Sequence, residues 1–313
     1  MNSTAQEAAA TAGASNNRFA AGCAWIEGDY VPIGDARIPI LDAGFVRSDL
    51  TYDVVGVWEG RFFRLADHLA RLERGCARIR LPIPVSTAAI QEILAETVRR
   101  SGLREAYVET VITRGVPAPG ERDPRKWTPR LYAYAIPYMW IVRPEQQEVG
   151  TQVIVARDTR RIPPGSVDPT VKNFHWADLT KGLFEAFDAG ARHPVLVDRH
   201  GNVTEGPGFN IFIVKDGEVV TPASGVLLGI TRKTVIELAR QAGIAVREQT
   251  VSAREVREAD EVFLSSTAGG VLPVTILEGN PVGDGKPGKV TTIIRHAYWD
   301  AHEDPRYVTP VRY

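Results

Sequence analysis

Lys172 stands in VDPTVKNFHWADL (residues 167–179), at the end of an apolar run and close to Phe174 and Trp176. Lysine is scarce in this chain, seven residues among 37 Lys and Arg, so one kept beside two aromatic rings invites a chemical reading. An amine in such surroundings is a nucleophile that can attack a carbonyl to form a Schiff base. It reads equally as a surface lysine whose stem covers apolar area while the ammonium reaches water. Glu205, in TEGPGFNIF (204–212), lies between a turn and a strand. It either caps the turn or keeps a heteroaromatic nitrogen protonated. Two further stretches suit an anion. In VLLGITRKTV (226–235) a glycine leads into Ile230 and Thr231 at a helix start, where free N–H groups and a hydroxyl can bind phosphate. SSTAGG (265–270) places hydroxyls and glycines after a strand. Both also read as plain loop chemistry.

An amine, a carboxylate for a pyridine nitrogen and two phosphate-type turns together are what pyridoxal 5'-phosphate asks of a protein, because its protonated ring is the electron sink. No GxGxxG fingerprint or P-loop is present, which disfavours a dinucleotide or a nucleoside triphosphate. The six histidines and the carboxylates show no metal-ligand spacing, so no metal is expected.

The elements that must position these groups follow from local patterns. GCAWIEGDYVPI (22–33) and VVGVWEGRFFRL (54–65) read as hairpins turning at Glu27-Gly28-Asp29 and at Glu59-Gly60. Leu65, Leu69, Leu72, Cys76 and Ile79 recur at helical spacing until LPIP (81–84) stops them. Ile90, Ile93, Leu94 and Val98 mark a second helix that ends at Gly102. Strands are predicted at 106–113 and 131–136, separated by a long polar loop, RGVPAPGERDPRKWTP, of the kind that is usually functional or disordered. Beyond a linker at 139–150, a strand at 152–156 leads towards Lys172. A helix carrying Leu179, Leu183 and Phe187 ends at Gly190. FNIFIVKDGEVVTP is a hairpin turning at Asp216-Gly217, a helix after Gly229 carries Val235, Leu238 and Ala239, and EVFL (261–264) is a strand. The expected fold class is α+β, with a disordered tail at 1–17, a small N-terminal domain at 18–138 and a larger cofactor-binding domain at 151–313. A cleft is expected between the two domains.

Composition agrees with a globular protein: 313 residues, 44% hydrophobic, 24% charged. A net charge of −1 gives no field that points to nucleic acid or an anionic membrane. Cys23 and Cys76 are too few for a disulfide framework and read as buried free thiols in a reducing cytoplasm. No apolar run approaches the roughly 20 residues of a membrane span, and the first 17 residues lack the pattern of a signal peptide.

The ordered set FRLADHLARL, VKNFHWADL, TEGPGFNIF, LLGITRK and SSTAGG resembles the class IV (fold type IV) aminotransferases, a group that holds branched-chain and D-amino acid aminotransferases and aminodeoxychorismate lyase. SDLTYDVVGVW (48–58), PGERD (119–123), SVDPTVKN (166–173) and STAGGVLPV (266–274) are most similar to the (R)-selective amine transaminases. The resemblance implies that Lys172 holds the cofactor and then moves the substrate proton. It implies that Glu205 pairs with the pyridine nitrogen, that Leu227 packs on the ring, and that Arg64, Ile230, Thr231, Ser266 and Thr267 hold the phosphate. Tyr52, Glu109, Trp176 and Ala268 would line the substrate pocket, with Phe174 in the core. Arg122 would be the mobile loop arginine that accepts a keto acid's carboxylate and swings away for an apolar amine.

Three positions depart from the pattern: Arg47 where histidine is common, and His175 and Ala177 in KNFHWADL. A cation at Arg47 near the pocket would favour carboxylated substrates such as D-amino acids. The expected reaction is a ping-pong transfer from an (R)-amine or D-amino acid to a keto acid such as pyruvate. An L-branched-chain aminotransferase, a lyase on the same cofactor and a non-enzymatic binding protein are the alternatives. A homodimer whose active sites take a loop from the partner subunit, located in the cytoplasm, is implied as well.

Overall fold

The computed structural model describes residues 18–313; the N-terminal segment 1–17 lies outside the described residues. Two sheets organise the chain. In the first, β1 (Cys23–Ile26) and β2 (Asp29–Pro32) form the first hairpin, and a short helix, α1 (Ala43–Arg47), precedes β3 (Leu50–Trp58) and β4 (Arg61–Phe63). Helices α2 (Leu65–Arg78) and α3 (Thr87–Ser101) follow, then β5 (Ala106–Thr113) and β6 (Arg130–Pro137). The hairpins turn where the sequence places them. At Glu27-Gly28 and Glu59-Gly60 both central residues have positive φ (52° and 104°, 49° and 76°), the conformation that matches strand twist in two-residue loops.

Alternation along β3 splits its side chains between two environments. Val55 and Val57 join Leu69, Leu72, Ile90 and Leu94 in the core beneath α2 and α3. Tyr52 and Val54 emerge on the opposite face with Val111 and Tyr132. The buried stripe of α2 is not wholly apolar, because His68 and Arg71 lie in it beside Leu65, Leu69 and Leu72. Gly75 of α2 allows a close approach: a Cβ there would meet Thr51 Oγ1 at 2.8 Å. Both cysteines are free and buried, and desolvation pushes the Cys76 thiol up to about 12.

The second sheet is mixed. It is built from β7 (Thr151–Arg160), β8 (His193–Val197), β9 (Glu205–Gly206), β10 (Phe209–Lys215), β11 (Glu218–Pro222), β12 (Val246–Gln249), β13 (Glu261–Ser266), β14 (Gly270–Leu277) and β15 (Asn280–Pro281). Strands β11 and β12, β14 and β7, and β7 and β8 pair in parallel; the other pairs are antiparallel. Helix α4 (Ala177–Asp188) packs on β7 and β8, while α5 (Ile230–Gln241) and α6 (Lys289–Asp300) pack together over β13 and β14. The face of α4 differs from expectation. Leu179, Gly182 and Ala186 are buried, and Phe187 is 60% exposed. Gly182 explains the rotation: a Cβ there would meet Leu196 Cδ1 at 2.8 Å, so Gly182 and Ala186 face the strands together with Leu179, while Phe184 and Phe187 are exposed.

The last strand, β16 (Val308–Pro310), returns to pair with β4 in the first sheet. The sequence division at residue 150 does not anticipate this crossing. Phe174, expected in the core, is 38% exposed and leans on Tyr52 with ring centroids 4.6 Å apart.

Candidate active site

Lys172 belongs to an irregular segment between β7 and α4 that is held by side-chain turns. Asp168 accepts from the amide and hydroxyl of Thr170 (2.9 and 2.6 Å), and Asn173 accepts from the amide of His175 (2.9 Å). The first sheet holds the lysine itself. Its carbonyl accepts from the Tyr52 amide at 3.0 Å and from Thr51 Oγ1 at 2.9 Å. Its Nζ lies 4.4 Å from the centroid of the Tyr52 ring. The amine therefore faces a cleft of about 420 Å³, within the usual range for small-molecule sites, whose wall comes from both sheets.

Glu205 faces the same cleft and is fixed through both oxygens. Oε2 accepts from the Leu227 amide at 2.8 Å; Oε1 accepts from Arg161 Nε and Nη2 at 3.2 and 3.1 Å. Arg161 in turn donates from Nη1 to Asp178 at 2.7 Å, and that carboxylate also accepts from the Ile162 amide. Burial raises the Glu205 pKa, and Arg161 and the Leu227 amide only partly oppose this. A cation brought against Glu205 would restore its charged form. Sequence reading missed Arg161, which lies beyond the end of a strand and meets its partners only through the fold.

One wall of the cleft offers groups that can bind an anion. Gly229 caps α5, and the first amides of a helix, here those of Ile230 and Thr231, have no intrahelical acceptor. Glycine is required at the cap, since a Cβ would lie 2.3 Å from Asn210 Oδ1. Ile230, Thr231, Ser266 and Thr267 all line this wall. Ser266 Oγ donates to the Gly208 carbonyl at 2.8 Å and accepts from the Ala268 amide, and the Thr267 carbonyl accepts from the Tyr138 hydroxyl. The arginine that α2 contributes to the wall is Arg71. Arg64, seven residues earlier, begins α2 in a left-handed conformation (φ 57°). Its guanidinium is taken up by Asp67 (2.6 Å), Thr234 (3.0 Å) and Glu237 (2.6 Å), so it ties α2 to α5 rather than facing the cleft.

Beside the cleft, Tyr52, Tyr107, Glu109, Phe174 and Trp176 line a recess to which, among the described residues, no basic side chain contributes. Glu109 is buried and accepts from the Tyr107 hydroxyl at 3.3 Å. Burial raises its pKa, opposed in part by the Tyr134 hydroxyl and the charge of Lys172. Ala268 and Leu227 line the main cleft. The two arginines expected to read carboxylates are elsewhere in the chain. Arg122 is exposed on the long loop, and Arg47 is exposed at the end of α1, its guanidinium 5.2 Å from the Trp127 ring of that loop.

These residues fit pyridoxal 5'-phosphate. The amine, the anchored carboxylate and the anion-binding helix start share one cleft, and Ser265, on its wall, has a buried hydroxyl with no partner. Among the described residues no group of His, Cys, Asp and Glu is arranged to hold a metal ion.

Comparison with known proteins agrees with this geometry. The profile of the family described as amino-transferase class IV matches residues 50–277. A branched-chain-amino-acid aminotransferase of Escherichia coli K12 is 30% identical over 283 residues, covering 88% of this chain and 91% of that protein. A D-alanine aminotransferase of Listeria monocytogenes is 35% identical over 268 residues, covering 85% and 90%. Among solved structures, a T.th. branched-chain amino acid aminotransferase with pyridoxamine 5'-phosphate superposes with a TM-score of 0.86 at 28% identity, covering 93% of this chain and 99% of that one. The Escherichia coli branched-chain enzyme gives a TM-score of 0.87 at 27% identity over the same shares.

Proposed function

The chain belongs to the class IV aminotransferase family, and on that premise we propose that it transfers an amino group from an (R)-amine, or from a D-amino acid, to a keto acid such as pyruvate. The cofactor is pyridoxal 5'-phosphate, which supplies an electron sink for the charge that develops at the substrate carbon. The observation that carries this reading is that Lys172 and Glu205 face one cleft, each fixed by hydrogen bonds from a different part of the fold. Lys172 Nζ would hold the cofactor and, once the incoming amine has displaced it and left it a free amine, would take the proton from the carbon bearing the amino group. Glu205, anchored by Arg161 and Leu227, keeps the ring nitrogen protonated. Arg71, the α5 amides of Ile230 and Thr231, and the Ser266–Thr267 turn hold the phosphate.

The substrate side supports an amine donor without a carboxylate. The recess beside Lys172 is lined by aromatic rings and Glu109 and offers a second carboxylate no cation of its own to pair with. The keto acid's carboxylate is then met by Arg122 once the long loop moves in. A second reading, an L-branched-chain or D-amino acid aminotransferase, is supported by relatives of both kinds at similar identity. A panel of (R)- and (S)-1-phenylethylamine, D- and L-alanine and L-leucine, each with pyruvate and 2-oxoglutarate, separates the readings. Turnover of (R)-1-phenylethylamine above L-leucine supports the first; the reverse order replaces it with the second.

We also infer a homodimer. Ile40 and Phe45 are 72% and 65% exposed, and Ile38, Leu41 and Val46 extend the same apolar surface along the segment that leads into Arg47. A second copy covering this surface brings Arg47 and the Arg122 loop to a subunit boundary.

A further inference from the structure

Asp53 is a buried carboxylate that takes no direct part in the chemistry described above. It lies on β3 between Tyr52 and Val54, two residues of the cleft wall, but its own side chain turns to the α2 face. There its Oδ2 accepts from Arg71 Nε at 2.8 Å. Its Oδ1 accepts from Arg71 Nη2 and meets His68 Nδ1, both at 2.7 Å, and also accepts from the Val54 amide. Burial works against the charge, but Arg71 and His68 more than offset this and hold the carboxyl well below the usual carboxylate range. Both partners stand on the anion end of the site: Arg71 on the main cleft, His68 on the small recess that Thr231 and Thr267 also line.

We propose that Asp53 is the positioning residue of the phosphate site, gripping one edge of the Arg71 guanidinium so that its other N–H groups point at the phosphate beside the start of α5. A guanidinium carries more donors than the two bonds to Asp53 use. Arg71 Nη1 donates to the Leu228 carbonyl at 3.5 Å, directly before the Gly229 cap, which places the second edge of the guanidinium where the helix amides begin. Arg64 offers the contrast, since Asp67, Thr234 and Glu237 occupy its nitrogens. A planar guanidinium fixed along one edge loses little freedom when it binds an oxyanion along the other. His68, whose Nδ1 lies 2.7 Å from the same Oδ1, adds a further contact that keeps the carboxylate from rotating.

The inference rests on the reading that this end of the cleft holds the phosphate, so the test compares ligands with and without one. The full-length protein, freed of cofactor, is titrated by absorbance with pyridoxal 5'-phosphate and with pyridoxal. In Asp53→Asn and in Arg71→Met the preference for the phosphorylated form should fall by about tenfold or more, while the affinity for pyridoxal changes by less than about threefold. The double variant should lose no more than the weaker-binding single one, because both act through one contact. An unchanged preference in Arg71→Met overturns the phosphate assignment and this proposal with it. A fall in Arg71→Met without one in Asp53→Asn overturns the role of Asp53 alone. If Asp53→Asn does not fold, Asp53→Glu keeps the buried charge but displaces it by a methylene, and its preference should still fall by about threefold; an unchanged value contradicts the proposal.

Discussion

The carbonyl of Lys172 accepts from the Tyr52 amide at 3.0 Å while the Lys172 amine rests 4.4 Å from the Tyr52 ring. One residue of the first sheet thus contacts both ends of Lys172, whose own segment has no regular hydrogen-bond ladder. Thr51 adds a second bond to the same carbonyl, and Gly75 leaves room for its hydroxyl.

Thr51→Val removes that second bond and preserves shape. Stability should fall by about 1 kcal/mol. Because the loss acts on the placement of the amine rather than on substrate contacts, kcat should fall by about threefold to tenfold with KM nearly constant. Steady-state kinetics and thermal melts of the variant check both.

Glu205→Gln keeps the bond from the Leu227 amide but removes the charge that Arg161 and the ring nitrogen face. Turnover should fall by about a hundredfold or more, and the absorption spectrum of the bound cofactor should change as its nitrogen loses its proton. A variant with the parental spectrum and rate would show that Glu205 serves only the fold.

Glu109 gives a pH signature. Burial raises its pKa in the folded chain, so folding favours the protonated form. Its contribution to stability is fully present below the ordinary glutamate pKa and is lost as pH rises through the raised folded value. Glu109→Gln should therefore melt higher than the parent at pH 8, and the difference should shrink at pH 4. Melting curves at the two pH values decide the sign.

Phe45 is 65% exposed on α1 amid Ile40, Leu41 and Val46. Phe45→Asp should shift a dimer towards monomer in light scattering and cut activity, with the secondary structure retained. A dimer unchanged by the substitution would move the interface to another face.

Much of this was legible in the sequence, for identifiable reasons. The X-Gly turns set the hairpins locally, and the motifs around Lys172, Glu205 and Gly229 carry their chemistry within a few residues. The anion site was harder. Arg64 stands out because it follows an aromatic pair, yet its charge is spent on Asp67 and Glu237. Arg71 was hidden among the leucines of α2, although His68 and Arg71 share the helical face of Leu65, Leu69 and Leu72, and two polar residues on an apolar stripe are a readable signal. Arg161 gave no local signal, because Glu205 and Asp178 reach it only after the second sheet has formed. The return of β16 to β4 depends on a pairing across almost the whole chain, which periodicity does not encode. In α4 Leu179 lies on the expected face, but close packing on β8 at Gly182 turns Phe187 outward and brings Ala186 in.

The central claim is that Lys172 is the amine that holds the cofactor. Borohydride treatment of the purified protein fixes pyridoxal 5'-phosphate to that amine, and peptide mass mapping then locates it among the seven lysines. The account predicts the added pyridoxyl phosphate mass on the peptide containing Lys172, and its absence from Lys172→Ala. Incorporation at another lysine, or none at all in protein supplied with cofactor, would contradict it.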